Sequence, residues 1–321
     1  MRSMLSLLAV ASTLLGVALP VAAQSYPSSP ITLVIPLAPG DGTDVAGRVM
    51  AEALAKLLKV AVVPINRPGG GMAIGTDSVV KAKKDGYTIL ITPNAALISG
   101  RIMNPDTVPY DPVKDLTHLG GTTRTPVILT VRGDAPWKSL ADLVEFAKKN
   151  PGKVRAATVG PGSIGHFSVE MINALTGAGL TSVPFKGGAP GMTALLGGHV
   201  ELGAFSVGAT SGHLKSGAMR GLVVSSKSPA FPEIPTLTEL GFRQNLPGIW
   251  FAFYGPAGMP AEVTKVLVPA IEKVVKDPAI AATLAPFGMI QDYASPDKVL
   301  AEIREEHRVL EELARKAGLV K

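Results

Sequence analysis

Two glycine loops in this chain have residue types suited to holding a small anion. The first reads Pro39-Gly40-Asp41-Gly42-Thr43-Asp44 and lies between an apolar run and an amphipathic stretch. Glycines let the backbone turn tightly and approach a ligand. Thr43 or Asp44 can cap the helix that follows. Free N–H groups and the helix dipole then favour negative charge. The same residues also make an ordinary capped turn, and Asp41 puts a negative charge where an anion would sit. The second loop reads Thr158-Val159-Gly160-Pro161-Gly162-Ser163-Ile164-Gly165-His166. Gly160, Gly162 and Gly165 match G-x-G-x-x-G, but a dinucleotide site also needs an acidic residue at the end of the next strand. That strand, Ser182 to Phe185, is followed by Lys186 and Gly187. The dinucleotide reading is therefore rejected. The loop's N–H groups and the Ser163 hydroxyl remain suited to a carboxylate.

Other chemistry finds less support. The hydrolase elbow G-x-S-x-G needs glycine where Pro161 stands. His166 follows Ser163 by three residues on one helical turn, a spacing that reads as a surface or interface histidine. An exported Ser/His hydrolase or lyase is nevertheless the competing reading. His118, His199, His213 and His307 have no metal-ligand spacing, and neither metal nor cofactor is expected. Glu305, Glu306, Glu311 and Glu312 read as a solvated helix face.

The elements that position these loops alternate between strand and helix. Ile31 to Ile35 suits a buried strand. Thr43 to Leu58 carries Val45, Val49, Ala53 and Leu57 on one helical stripe. Strands are expected over Val60 to Ile65 and Tyr87 to Thr92, with a helix over Ala73 to Lys83. The pattern restarts near Pro126. Strands follow at Val127–Val131, Val154–Thr158, Ser182–Phe185, Glu201–Phe205 and Met219–Ser225. Helices fall at Ser139–Lys149, at Ser163–Leu175 and in a stretch ending at Leu195. Beyond Pro247 come a strand at Trp250–Tyr254 and helices at Ala261–Val275 and Pro296–Ala317. This alternation predicts an α/β fold with helices on both faces of parallel sheets. Two sheets, with the C-terminus returning to the first, place a cleft between them.

Composition bounds the setting. The 321 residues, 46% of them hydrophobic, are enough for two packed domains. Arg2, the charge-free stretch Leu5 to Leu19, Pro20 and the small residues Val21-Ala22-Ala23 read as a signal peptide over 1–23. Export and a periplasmic location follow. The formal charge of +6 falls to +5 without Arg2. That excess is unclustered and does not announce nucleic-acid binding. Cysteine is absent, so neither a disulfide nor a lipid-anchoring thiol is available.

Six phrases occur in a recognisable order: Pro36-Leu-Ala-Pro-Gly40, Asn66-Arg-Pro-Gly69, Asp85-Gly-Tyr87, Pro109-Tyr-Asp-Pro-Val-Lys-Asp115, Val183-Pro-Phe-Lys-Gly-Gly-Ala-Pro190, and Pro232 to Thr236. With them the chain resembles the Bug family, the substrate-binding receptors of tripartite tricarboxylate transporters, from about Tyr26 to Val320. The resemblance implies a two-domain periplasmic-binding-protein fold, type II-like, that closes on a ligand held in the cleft. Its first domain would comprise 24–124 and 250–321, its second 125–249. The restart of the strand–helix pattern near Pro126 and its return beyond Pro247 lead to the expectation of a monomeric, hinged receptor, and the lack of a coherent catalytic constellation to that of a protein without enzymatic activity. The ligand would be a small carboxylate, and the partners membrane transporter subunits or a sensor kinase. First-domain contacts carried over by motif are Pro39, Gly40, Asp41, Gly42, Thr43, Asp44, Thr92 and Asn94. Second-domain contacts are Thr158, Gly160, Gly162, Ser163, Lys186 and Gly187. The chain departs from the family pattern at Asp41-Gly42, where Gly-Gly is usual, and at Met72, where Asn is frequent. It departs again at Ala204-Phe205, where Phe-Asp is frequent.

That last departure sets an expectation about the ligand. Phe205 lacks the carboxylate that would suit an ammonium group, whose burial without a partner is costly. Acids without an amino group should then bind at least tenfold tighter than aspartate or glutamate, about 1.4 kcal/mol, in a competition assay.

Overall fold

The computed structural model describes residues 26–228, 230–316, 318 and 320, so the leader expected over 1–23 lies outside the described residues. The apolar run Ile31–Ile35 forms β1, with β2 (Val62–Asn66) and β3 (Thr88–Pro93) parallel on its two sides. The helices α1 (Gly42–Leu58) and α2 (Ala73–Val80) connect these strands. After β3 come the short helices α3 (Asn94–Leu97) and α4 (Ser99–Met103), then β4 (Leu116–Thr125). One residue later β5 (Val127–Arg132) begins in a different sheet. There the chain continues through α5 (Leu140–Lys149), β6 (Arg155–Thr158), α6 (Ile164–Thr176), β7 (Thr181–Pro184) and α7 (Gly188–Leu196). It goes on through β8 (Leu202–Ser206), α8 (Val207–Lys215) and β9 (Met219–Val224). It returns to the first sheet as β10 (Ile249–Pro256), α9 (Ala261–Val275), α10 (Pro278–Leu284), β11 (Ile290–Ala294) and α11 (Pro296–Lys316).

The strand orders are β11-β4-β10-β3-β1-β2 and β7-β6-β8-β5-β9. The α/β class and the two sheets are as the strand–helix alternation predicts. Both sheets are mixed, because β10 runs antiparallel to β3 and β4, and β5 antiparallel to β8 and β9. Each sheet is covered on both faces, which is why β1 reads as a near-continuous apolar run. Leu33 and Ile35 pack with Met50, Leu54 and Leu267 on one side, while Val34 and Leu90 pack with Trp250, Ile303 and Leu310 on the other. In the second sheet Leu129 and Leu202 pack with Leu143 and Ile172. Among the described residues no helix is long and apolar enough to cross a membrane.

The two passages between the sheets lie side by side. Ile249, where the chain returns, pairs with Thr125, where it leaves. Asn94 fixes this junction. Its Nδ2 donates to Gly248 O at 3.0 Å and to Glu306 Oε1 at 2.7 Å, and its Oδ1 accepts from Trp250 N at 3.3 Å. Trp250 Nε1 donates to Glu306 Oε2 at 2.6 Å. Asn94 was expected to touch ligand; instead it is fully buried and both ends of its amide are committed to the junction. Glu306 also departs from expectation. It lies on the stripe of α11 that carries the buried Val299, Ile303 and Leu310, so it is not part of the solvated face. Glu305, Glu311 and Glu312 do pair at the surface with Arg308, Arg315 and Lys316.

Burial pushes the Glu306 carboxyl up to about 7, against the opposing effect of its bonds from Trp250 and Asn94 and the nearby Arg124. A folded-state value above the ordinary 4.5 contributes stability that is present below 4.5 and lost as pH rises through 7. Glu306→Gln cannot titrate. In urea unfolding, the stability of Glu306→Gln relative to wild type should improve between pH 4.5 and pH 8 by at most about 3 kcal/mol. A difference independent of pH would refute the assignment.

Candidate ligand-binding cleft

The ends of the parallel strands bring four segments together across the gap between the sheets. Ser99 Oγ at the start of α4 donates to Gly162 O at 2.6 Å, a buried contact. A Cβ on Gly162 would lie 3.1 Å from Gly100 Cα. Farther along the gap, a Cβ on Gly208 in the first turn of α8 would lie 1.7 Å from Phe287 O. One on Gly288 would lie 2.4 Å from Gly208 Cα, so only glycine fits at either place. Next to Gly288, Met289 reaches the start of α1, its methyl 3.2 Å from where a Cβ of Gly42 would stand. Ala95, Val127 and Ile164 join the two sides in a small apolar cluster, with Met72 and Ile249 against it. Two cavities, of about 430 Å³ and 370 Å³, lie elsewhere, one beside β9 and one behind the Thr125–Ile249 junction. Neither is lined by the glycine loops.

The first loop is tied largely by its own carboxylates. Asp41, rather than Thr43 or Asp44, caps α1, accepting from Thr43 N at 3.0 Å. Asp44 turns back and accepts from Gly40 N at 2.9 Å, Asn66 Nδ2 at 2.8 Å and Arg48 Nε at 2.9 Å. Burial works against the Asp44 anion, yet the bonds from Arg48, Gly40 and Asn66 outweigh it and hold the carboxyl below its usual range. Asp41 N and Val45 N are also used, by Ala38 O and Asp41 O. Gly40 N and Thr43 N, which could have met an anion, are taken by the chain's own carboxylates. Pro39 and Gly40 are exposed at the tip. Thr43 and Thr92 are fully buried, each hydroxyl without a partner among the described residues.

The second loop is braced differently. Ser163 caps α6 by accepting from His166 N at 3.1 Å, while His166 Nδ1 accepts from Gly162 N at 3.2 Å. Burial lowers the His166 pKa despite Glu170, whose Oε1 is 3.8 Å from Nε2. The imidazole thus acts as a neutral acceptor for the loop backbone, and the Ser163 hydroxyl is bonded to the His166 backbone, not to its ring. No Ser–His relay is formed. Thr158 is buried at the end of β6, its Oγ1 3.2 Å from Ser182 Oγ. Gly160 is half-buried in the turn. Next to β6, the end of β7 leads through Lys186 and Gly187 into α7. Gly187 provides no side-chain cap, so the first N–H groups of α7 lack one. Lys186 is exposed and, among the described residues, has no ion-pair partner.

Phe205 is not at the cleft. It is 2% exposed and packs with Ala157, Leu195, Val200 and Met219. Its ring presses on Gly191 and Gly203, where a Cβ would meet it at 2.9 Å and 2.2 Å. It fills the core beneath α7, and the ligand preference argued from it loses its basis. Ser206, one residue on, caps α8 through Ala209 N at 3.3 Å and is half-buried. Sequence reasoning missed Ser99, Gly208, Gly288 and Met289. Single glycines outside a motif carry no signal, and nothing local marks a Ser that bonds a distant carbonyl.

The profile of a family described as "Tripartite tricarboxylate transporter family receptor" matches residues 46–319. Protein BugT of Bordetella pertussis is 32% identical over 323 residues, covering 100% of this chain and 97% of its own. A UPF0065 protein of Agrobacterium vitis is 31% identical, covering 91% and 86%. The solved periplasmic binding protein BugD superposes with a TM-score of 0.80 at 31% identity, covering 92% of this chain and 100% of its own. The R. palustris protein Rpa4515, solved with adipate, gives 0.83 at 30% identity, covering 91% and 98%.

Asp44 is the tie of the first loop. Its side chain is 5% exposed and that of its partner Arg48 47%, so the ion pair itself is worth little. Asp44→Ala leaves the Gly40 N–H without its acceptor and removes one of the two bonds donated by Asn66 Nδ2, which keeps Leu37 O. The substitution should cost about 1–3 kcal/mol in urea unfolding. Arg48→Ala should cost under about 1 kcal/mol.

Proposed function

Since the chain belongs to the tripartite tricarboxylate transporter receptor family, we propose that it is an exported periplasmic receptor, without catalytic activity, that captures a small organic carboxylate and delivers it to a membrane transporter. The observation that carries this reading is the arrangement of the two sheets. Two sheets covered by their own helices are joined by adjacent passages at Thr125 and Ile249 and touch at glycine contacts on the far side. Segments 24–124 and 250–321 would form one jaw and 125–249 the other, opening about those passages. The ligand-facing residues would be Asp41 and Gly42 on the first jaw, with Gly160, Ser163, Lys186 and Gly187 on the second; Thr43, Thr158 and Gly162 are buried behind them. Lys186 and the uncapped start of α7 favour a carboxylate through charge and free N–H groups. The relative solved with adipate supports the ligand class. The hydrolase reading loses its footing in the Ser163–His166 geometry, which gives the hydroxyl no base.

A thermal-shift screen of mono- and dicarboxylates tests the proposal. A ligand that binds only the folded state adds about 2.7 kcal/mol at a hundred times its Kd and raises Tm. Solution scattering of free and saturated protein should show compaction on binding. Lys186→Ala should weaken the best acid about tenfold, near 1.4 kcal/mol, without lowering the Tm of the free protein. Wild-type affinity in that variant would remove Lys186 from the site.

A further inference from the structure

The bonds at the junction between the sheets need a charged carboxyl. Glu306 accepts from Asn94 Nδ2 at 2.7 Å and from Trp250 Nε1 at 2.6 Å, one N–H on each oxygen. Both donors sit at the returning passage, where Asn94 also holds Gly248 O at 3.0 Å and Trp250 N at 3.3 Å. Only the carboxylate accepts fully at both oxygens. A neutral acid carries its proton on one of them, and that O–H would face an N–H, donor against donor. One of the two bonds must then open, and Asn94 or Trp250 loses its tie to α11.

The cavity of about 370 Å³ behind the junction brings water to this carboxyl. Its wall takes Glu306, Trp250 and Arg124 from the side of the first sheet and Met171, Gln244 and Asn245 from the side of the second. Glu306 is partly exposed there. Because the wall draws on both sides, a turn of one sheet against the other reshapes the surroundings of Glu306. The charges around it are few. Arg124 on β4 favours the anion and Glu302 on α11 opposes it, while Arg124 is itself shared between Glu302 and Asp292. Glu305, also in the wall, pairs with Arg308. The Tyr254 hydroxyl on β10 is kept neutral by burial and by the nearness of Glu306 and Glu302. Met171, Gln244 and Asn245 bring no charge. Burial is the largest influence on Glu306, and its carboxyl titrates at about 7.

We propose that Glu306 is a proton-operated lock on the passages between the sheets, which holds them in the relation seen here when ionised and frees them when protonated, so that ligand is held less tightly in acid. The relation seen here is the one in which the sheets meet, at Ser99 and Gly162 and at Gly208 and Gly288. The proposal rests on the receptor reading above, in which the jaws turn about Thr125 and Ile249. The sign follows from the titration: Glu306 loses its proton as pH rises through 7, so the lock is set above that pH and released below it. By linkage, closure on a ligand must lower the Glu306 pKa and expel part of a proton.

Tryptophan emission and calorimetry, with adipate as the probe, test the lock in the whole protein. The Trp250 N–H is one of the bonds at stake, so wild-type emission should shift with a midpoint near 7. Glu306→Gln has one acceptor oxygen and an amide donor, which imitates the neutral acid at every pH. Its emission should not shift near neutrality. Wild-type affinity for adipate should fall about fivefold from pH 8 to pH 6, whereas Glu306→Gln should bind with the weaker, acid-limit affinity at both. At neutral pH, titrations in buffers of different ionisation enthalpy should show more protons released from wild type than from the variant. A wild type without an emission transition near 7, or an affinity profile identical to that of Glu306→Gln, overturns the lock and leaves the receptor reading standing. If adipate binds at neither pH, it is the receptor reading that fails for this acid. Emission then decides the lock: a midpoint near 7 absent from the variant sustains it, and matching profiles overturn it.

Discussion

The adjacency of the two passages between the sheets is the constraint on which the rest of the molecule depends. The chain leaves the first sheet at Thr125 and returns at Ile249, and these residues pair as neighbours in one ladder. Two strands side by side can twist together with little disturbance elsewhere, whereas passages far apart would lock the sheets. Asn94 gives this junction one geometry by holding Gly248 O and Trp250 N, and Glu306 holds Asn94 and Trp250 in turn. Because Asn94 directly follows β3, the junction lies immediately behind the strand ends that line the gap.

The two glycine loops differ in what they leave over once their own backbone is satisfied. In the first, Asp41 and Asp44 accept from Thr43 N and Gly40 N, and a negative charge remains. In the second, a serine hydroxyl and a neutral imidazole do the same work without charge. Similar composition thus gives opposite electrostatics, because a carboxylate cap keeps its charge after bonding and a hydroxyl cap has none to keep.

Much of the fold was legible because its elements carry strong periodic signals. The helices at Ala261–Val275 and at Pro296–Lys316 and the strand at Met219–Val224 fall within a residue or so of expectation. The miss at β4 has a physical cause. Leu116–Thr125 is rich in threonine and carries Gly120 and Gly121, so it has no apolar run. Those glycines are needed by packing, since a Cβ on Gly121 would lie 2.8 Å from Ala294 Cβ of the neighbouring strand. Tertiary proximity of this kind leaves no local trace. At the two glycine loops the strand–turn–helix setting was legible, but the direction of individual side chains was not. Asn94 and Phe205 turn inward, one to the junction and one to the core. Glu306, among acidic neighbours, gave itself away only by its place on the apolar stripe of α11.

The contact between Gly208 and Gly288 limits how the two sheets can meet at this edge. A stop built from side chains is soft, since rotamers shift. Here main chain meets main chain, and neither partner has anything to fold away. A single methyl group at either position would wedge the two sheets apart, so this edge admits one spacing and no graded series of them.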